Sequence, residues 1–137
     1  MDNVVDRLIR YAKIYTESDY HAPADAAPST RRQFDLAHLL VEELRGLGVE
    51  NARCDETCYV YATIPATPGC EHLPAIGLIA HMDTTPDMTG KDVKPQVLHY
   101  DGGDLVLNRE QNIVMEAAKF PELQKFVGQD LVCTDGT

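Results

Sequence analysis

The sequence predicts an α/β fold, and three observations carry that reading. Residues 76–80 (Ile76-Gly77-Leu78-Ile79-Ala80) form an unbroken apolar run, the pattern of a strand buried on both faces of a sheet. Two stretches, 2–16 and 29–47, repeat apolar residues at helical spacing. Shorter runs bounded by turn residues supply further strands. At 137 residues the chain suits one ordinary domain better than two, and no linker divides it.

In chain order, Val4, Val5, Leu8, Tyr11, Ala12 and Tyr15 make the apolar stripe of a first helix, with Asp2 or Asn3 as its cap. Residues 17–28 are a polar loop punctuated by alanine and proline. Pro28-Ser29-Thr30 opens a second helix with Ser29 as the expected N-cap. Phe34, Ala37, Leu40, Val41, Leu44 and Leu47 form its stripe, and Gly46 and Gly48 mark its end. Residues 49–54 and 58–64 read as two strands around an Asp55-Glu56-Thr57 turn. The central strand follows at 76–80. A short strand is expected at 96–100, a turn at Asp101-Gly102-Gly103-Asp104, and extended chain again at 105–107. A short helix starts near Pro121, where proline suits a first turn. Residues 131–134 read as a last buried strand.

Composition narrows the function. Hydrophobic residues make up 44% and charged residues 25%, as in soluble globular proteins. The formal net charge of −10, from 22 acids against 12 bases, repels phosphate backbones and anionic lipid. Nucleic-acid and membrane-surface partners are therefore not expected. No window approaches the roughly 20 apolar residues of a membrane span, and no signal-peptide pattern opens the chain. Cys54, Cys58, Cys70 and Cys133 lack zinc-finger spacing and read as reduced structural thiols, which suits a cytoplasmic protein. His21, His38 and His72 read as solvated or packing side chains.

Chemistry concentrates after the central run, at His81 and Asp83. Two positions apart on a strand, they point the same way. Open α/β sheets place their sites at such strand ends. A neutral imidazole is a common zinc ligand, and a nearby carboxylate can hold its other N–H. A hydrogen-bonded strand terminus with no metal is the alternative. A catalytic zinc normally takes three protein ligands and an open position. The later donors His99, Asp101, Asp104, Glu110, Glu116, Glu122, Asp130 and Asp135 show no His-Glu-x-x-His or comparable pair. There is also no Gly-x-Ser-x-Gly elbow and no phosphate-binding loop.

His81-Met82-Asp83-Thr84-Thr85-Pro86-Asp87, followed by Gly90-Lys91-Asp92-Val93-Lys94-Pro95-Gln96, resembles the first metal-ligand segment of the peptidase T family. These are tripeptide aminopeptidases among the M20 metallopeptidases. The likeness extends to Pro28-Ser29-Thr30, Pro74-Ala75-Ile76-Gly77, Gly102-Gly103-Asp104 and Thr134-Asp135-Gly136-Thr137, essentially the whole chain. It implies that residues 1–137 are the N-terminal part of a mixed-sheet, zinc-dependent exopeptidase domain. The resemblance further implies two Zn2+ per complete site, with His81 a metal ligand and Asp83 the catalytic acid residue beside it. Short peptides, tripeptides above all, are the implied substrates. The family's bridging aspartate, its general base and its other ligands match no position here, nor does its lid domain. The chain alone is thus expected to be inactive and, through exposed sheet surface, to self-associate. Two alternatives stand beside this reading. One is another M20 hydrolase: a dipeptidase, a carboxypeptidase or an N-acyl amino acid deacylase. The other is a non-catalytic truncated or binding module.

Overall fold

Asn3 starts the first helix in the computed structural model, which describes residues 3–136. Its side chain accepts the Asp6 N–H at 2.9 Å, and the Asp6 carboxylate accepts the Asn3 N–H at 3.4 Å, a capping box. Asp2, the other expected cap, lies outside the described residues. This helix, α1, runs Val4–Ala12 and stops short of the expected end at residue 16. Thr16 is instead buried in extended chain, and its carbonyl accepts the Thr84 N–H at 3.4 Å. A long-range partner has overridden the helical spacing there.

The chain divides into two compact units, one of residues 15–90 and one joining the residues up to Ile14 to those from Lys91 onward. In the first, α2 spans Gln33–Gly46, three residues later than Ser29 as N-cap requires. Ser29 is occupied elsewhere, since its Oγ accepts the Asp19 N–H at 3.1 Å and the Gln33 amide at 3.3 Å. The helix ends as expected in a glycine-dependent cap. Gly48, at φ 90°, donates to the Arg45 carbonyl and Val49 donates to that of Leu44, both at 2.9 Å. Its most buried residues are Gln33, Leu36, Ala37 and Val41, so the buried face is turned toward Leu36 and away from exposed Leu47.

This helix covers a small antiparallel hairpin of β1 (Arg53–Cys54) and β2 (Val60–Tyr61), much shorter than the two expected strands. Arg45 ties the two together, donating to the Ala52 carbonyl at 2.8 and 3.1 Å. The Asp55 carboxylate organises the hairpin turn, accepting the N–H groups of Thr57 and Tyr59.

The central strand expected at 76–80 does not form. Those residues belong to no strand, and Ile76, Leu78 and Ile79 are 89%, 95% and 100% exposed. A strand buried on both faces needs ladder partners and covering layers. Among the described residues nothing supplies them to this run, so its apolar pattern has nothing to bury against.

In the second unit, β3 (Gln96–Tyr100) and β6 (Gln129–Cys133) pair antiparallel over their full lengths. β4 (Leu105–Asn108) pairs with β5 (Ile113–Met115) across a bulge, and β5 is a strand the sequence reading did not assign. Gly102 and Gly103, at φ 102° and 75°, make the expected turn between β3 and β4. Pro121–Phe126 forms the expected short helix, a 3-10 one. Tyr100, Leu105 and Leu123 are the buried centre, with Leu98, Leu107, Met115, Leu131 and Cys133 packed around them. β6 is therefore half-buried on one face, not fully buried. Helices and small antiparallel sheets together give the mixed α/β content expected, without an extended sheet among the described residues. None of the described helices is long and apolar enough to cross a membrane.

Candidate functional site

Residues 16–18 run alongside Thr84 and bring the site together. Ser18 donates its backbone N–H to the Thr84 carbonyl at 3.0 Å, and Glu17 and Thr84 form a parallel bridge. The Glu17 carboxylate accepts the Gly90 N–H at 2.9 Å and the Tyr15 hydroxyl at 3.1 Å. The Gly90 bond is the main reason its pKa lies below the ordinary range. Gly90 is required by space: a Cβ there would stand 2.8 Å from Thr84 Oγ1. The loop after His81 is thus latched at both ends to residues 15–18.

His81 and Asp83 meet as their spacing of two implies, although the strand meant to carry them is absent. His81 Nδ1 lies 3.2 Å from Asp83 Oδ1. The other carboxylate oxygen, Oδ2, accepts the Ser18 hydroxyl at 2.6 Å. That hydroxyl bond is the largest influence holding Asp83 below its usual pKa, with His81 adding to it against partial burial. The imidazole is 85% exposed and the Asp83 side chain 43%. Behind Ser18, the Gln33 amide donates toward the hydroxyls of Ser18, Ser29 and Thr30, each at 3.3 Å. Beside it, Tyr20 and Thr85 share a 3.0 Å hydrogen bond, and Thr85 donates to Asp87 at 2.7 Å.

Sequence reasoning placed Ser18 in a solvated loop and Gln33 nowhere in the site. Spacing carries no signal for them, because Ser18 and Asp83 are 65 residues apart.

The donors of a metal site are only partly assembled. With Nδ1 turned to Asp83, His81 keeps Nε2 free, which suits one imidazole ligand and its orienting acid. Several of the later donors are engaged in pairs. His99 meets Asp130 at 2.7 Å and Asp101 at 3.6 Å, Glu116 meets Lys119, and Asp135 meets Lys94 at 3.2 Å. Among the described residues no three His, Cys, Asp or Glu side chains are arranged to hold a metal ion. The described residues therefore fit one corner of a zinc site and do not complete one. Cys54, Cys58 and Cys133 are not activated as nucleophiles. Burial pushes Cys58 up to about 11 and also raises Cys54 and Cys133.

No protein-family model matches the chain. Curated relatives do, along its whole length. It is 53% identical to Peptidase T of Alkaliphilus oremlandii over 139 aligned residues, covering 100% of this chain and 34% of that protein. Identity to Peptidase T of Lysinibacillus sphaericus is 50%, over 99% of this chain and 32% of the relative. For Peptidase T of Desulfitobacterium hafniense it is 49%, over 100% and 33%. The chain spans about one third of the length of these relatives. Over its whole length, then, the chain is a relative of the peptidase T family and corresponds to about a third of such a protein.

Proposed function

We propose that this chain carries the first metal-ligand segment of a zinc-dependent aminopeptidase that removes the N-terminal residue of tripeptides in the cytoplasm. His81 is the ligand through Nε2, and Asp83 holds its Nδ1 side. A bound zinc in such a site supplies an activated water and polarises the scissile carbonyl. The part of this chain is to present one imidazole in a fixed orientation. The observation that carries the reading is the His81–Asp83 hydrogen bond, standing in a chain 53% identical over its length to Peptidase T of Alkaliphilus oremlandii. The M20 assignment, with two metals in the complete site, rests on the motif resemblance.

By itself the chain is inactive in this reading, because one ligand neither holds zinc tightly nor orients a water. The test is a hybrid in which this chain replaces the corresponding third of the Alkaliphilus oremlandii protein. With Zn2+, the hybrid is expected to release N-terminal residues from tripeptides, and His81→Ala to lower kcat/KM by at least about a hundredfold. N-acetylated tripeptides are expected to resist it, whereas a deacylase would cleave them. A hybrid that folds yet acts equally well with alanine at 81 would sink the assignment. The 137-residue chain assayed alone is expected to release nothing.

A further inference from the structure

We propose that Ser18 is a positioning residue for His81. It clamps the Asp83 carboxylate so that the His81 proton sits on Nδ1 and Nε2 is left bare. The inference rests on reading His81 as a metal ligand, and it adds a residue to that site from a distant part of the chain.

The geometry runs outward from a buried amide. Gln33 is 8% exposed, and its Nε2 points at Ser18 Oγ from 3.3 Å. By donating to that oxygen it leaves the serine's own proton for another acceptor. The acceptor is Asp83 Oδ2 at 2.6 Å, the short length of a hydroxyl bonded to an ionised carboxylate. Backbone bonds on either side of Glu17 hold Ser18 in place: Thr84 N–H to the Thr16 carbonyl, and Ser18 N–H to the Thr84 carbonyl. With Oδ2 fixed, Oδ1 faces His81 Nδ1 at 3.2 Å.

Asp83 needs this anchor because its other side-chain partner among the described residues, His81, is 85% exposed and free to turn. A neutral imidazole in water favours the tautomer protonated on Nε2, which would occupy the ligating nitrogen. An acceptor held at Nδ1 reverses that preference. Ser18 thus acts on His81 through Asp83, without touching a metal or substrate.

The experiment is long-range 1H–15N NMR of the His81 ring in the apo 137-residue chain at a pH where the imidazole is neutral. In the wild type the tautomer carrying its proton on Nδ1 is expected to dominate. Ser18→Ala is expected to lower the Nδ1–H to Nε2–H ratio by about threefold to tenfold, the scale of one net hydrogen bond. Ser18→Thr, which keeps the hydroxyl, retains the wild-type ratio. An unchanged ratio in Ser18→Ala with an intact backbone spectrum overturns the proposal, and so does a threonine variant that behaves like alanine. If Ser18→Ala loses the wild-type backbone spectrum, Ser18→Cys is read in its place. That variant is near-isosteric with a far weaker donor, so a fall in the ratio supports the proposal and a wild-type ratio overturns it. Zn2+ titration of the Alkaliphilus oremlandii hybrid is scored separately and tests the ligand reading: a His81 Nε2 signal that zinc leaves unmoved there sinks that reading and leaves the tautomer result standing.

Discussion

At the scale of single residues, a buried amide organises much of what surrounds His81 and Asp83. Gln33 sits at the start of α2 with 8% of its surface exposed, where a polar group is tolerated only if its hydrogen bonds are made. Three hydroxyls, on Ser18, Ser29 and Thr30, lie 3.3 Å from its Nε2. Gln33→Leu preserves volume and helix propensity but strips a donor from all three. Its expected cost is about 1 to 3 kcal/mol, the penalty for leaving buried polar groups unpaired. Urea unfolding measures this as a lower midpoint with an unchanged slope. A variant as stable as the wild type would mean that water replaces the amide without loss. None of this was legible in the sequence, which places Gln33 one position before the apolar stripe. Ser18 was equally hidden, because hydrogen bonds across 65 residues leave no periodic trace. What could be read locally was the pair at spacing two, His81 and Asp83, and those side chains do meet.

Secondary elements followed the sequence best where their partners are local. The Asn3 cap, the glycine cap after α2 and the Gly102-Gly103 turn all depend on neighbours within a few residues. Residues 76–80 failed because a doubly buried strand is defined by what lies beside and across it. The shortened α1 fails for the same kind of reason, whereas β5 went unassigned although its partner β4 is its neighbour in the chain. The β3–β6 pair also carries a pH response that can be stated with its sign. His99 faces its cross-strand partner Asp130 through Nδ1 at 2.7 Å, and Asp101 through Nε2 at 3.6 Å. Hydrogen bonding to Asp130, aided by the charges of both acids, raises its pKa. A raised folded pKa means the contribution is fully present below the unfolded value of about 6.5 and lost as pH rises through the folded value. His99→Gln is therefore expected to lower the thermal midpoint at about pH 5.5, with the gap from wild type shrinking by about pH 9. The His99 ring shifts, followed by NMR, are expected to titrate above the free-histidine value. A gap that is constant or widens with pH would show that the pair does not stabilise this hairpin through charge. The size of the effect stays small because all three side chains face solvent.

For the whole molecule, the exposed run at 76–80 is the feature that governs behaviour in solution. Ile76, Leu78 and Ile79 stand 89%, 95% and 100% exposed outside any strand, offering both backbone groups not engaged in a ladder and apolar side chains. Soluble proteins rarely leave such a segment open, since it is a template for pairing with another chain. The net charge of −10 opposes association at long range, but salt screens it to about 8 Å at physiological ionic strength. Short-range pairing of apolar strands then prevails. The 137-residue chain is accordingly expected to self-associate as its concentration rises, more strongly in salt, and sedimentation velocity reads this directly. Replacing Leu78 and Ile79 together by lysine is expected to restore a monomer. The unfolding midpoint should hardly move, because side chains this exposed contribute little to the folded state, typically within about 0.5 kcal/mol each. Joining the chain to the remaining two thirds of a peptidase T relative is expected to suppress the association as well, if that chain covers the run. A wild-type chain that stays monomeric at every concentration and salt level would show that the run is protected in solution, and the argument from its exposure would fall.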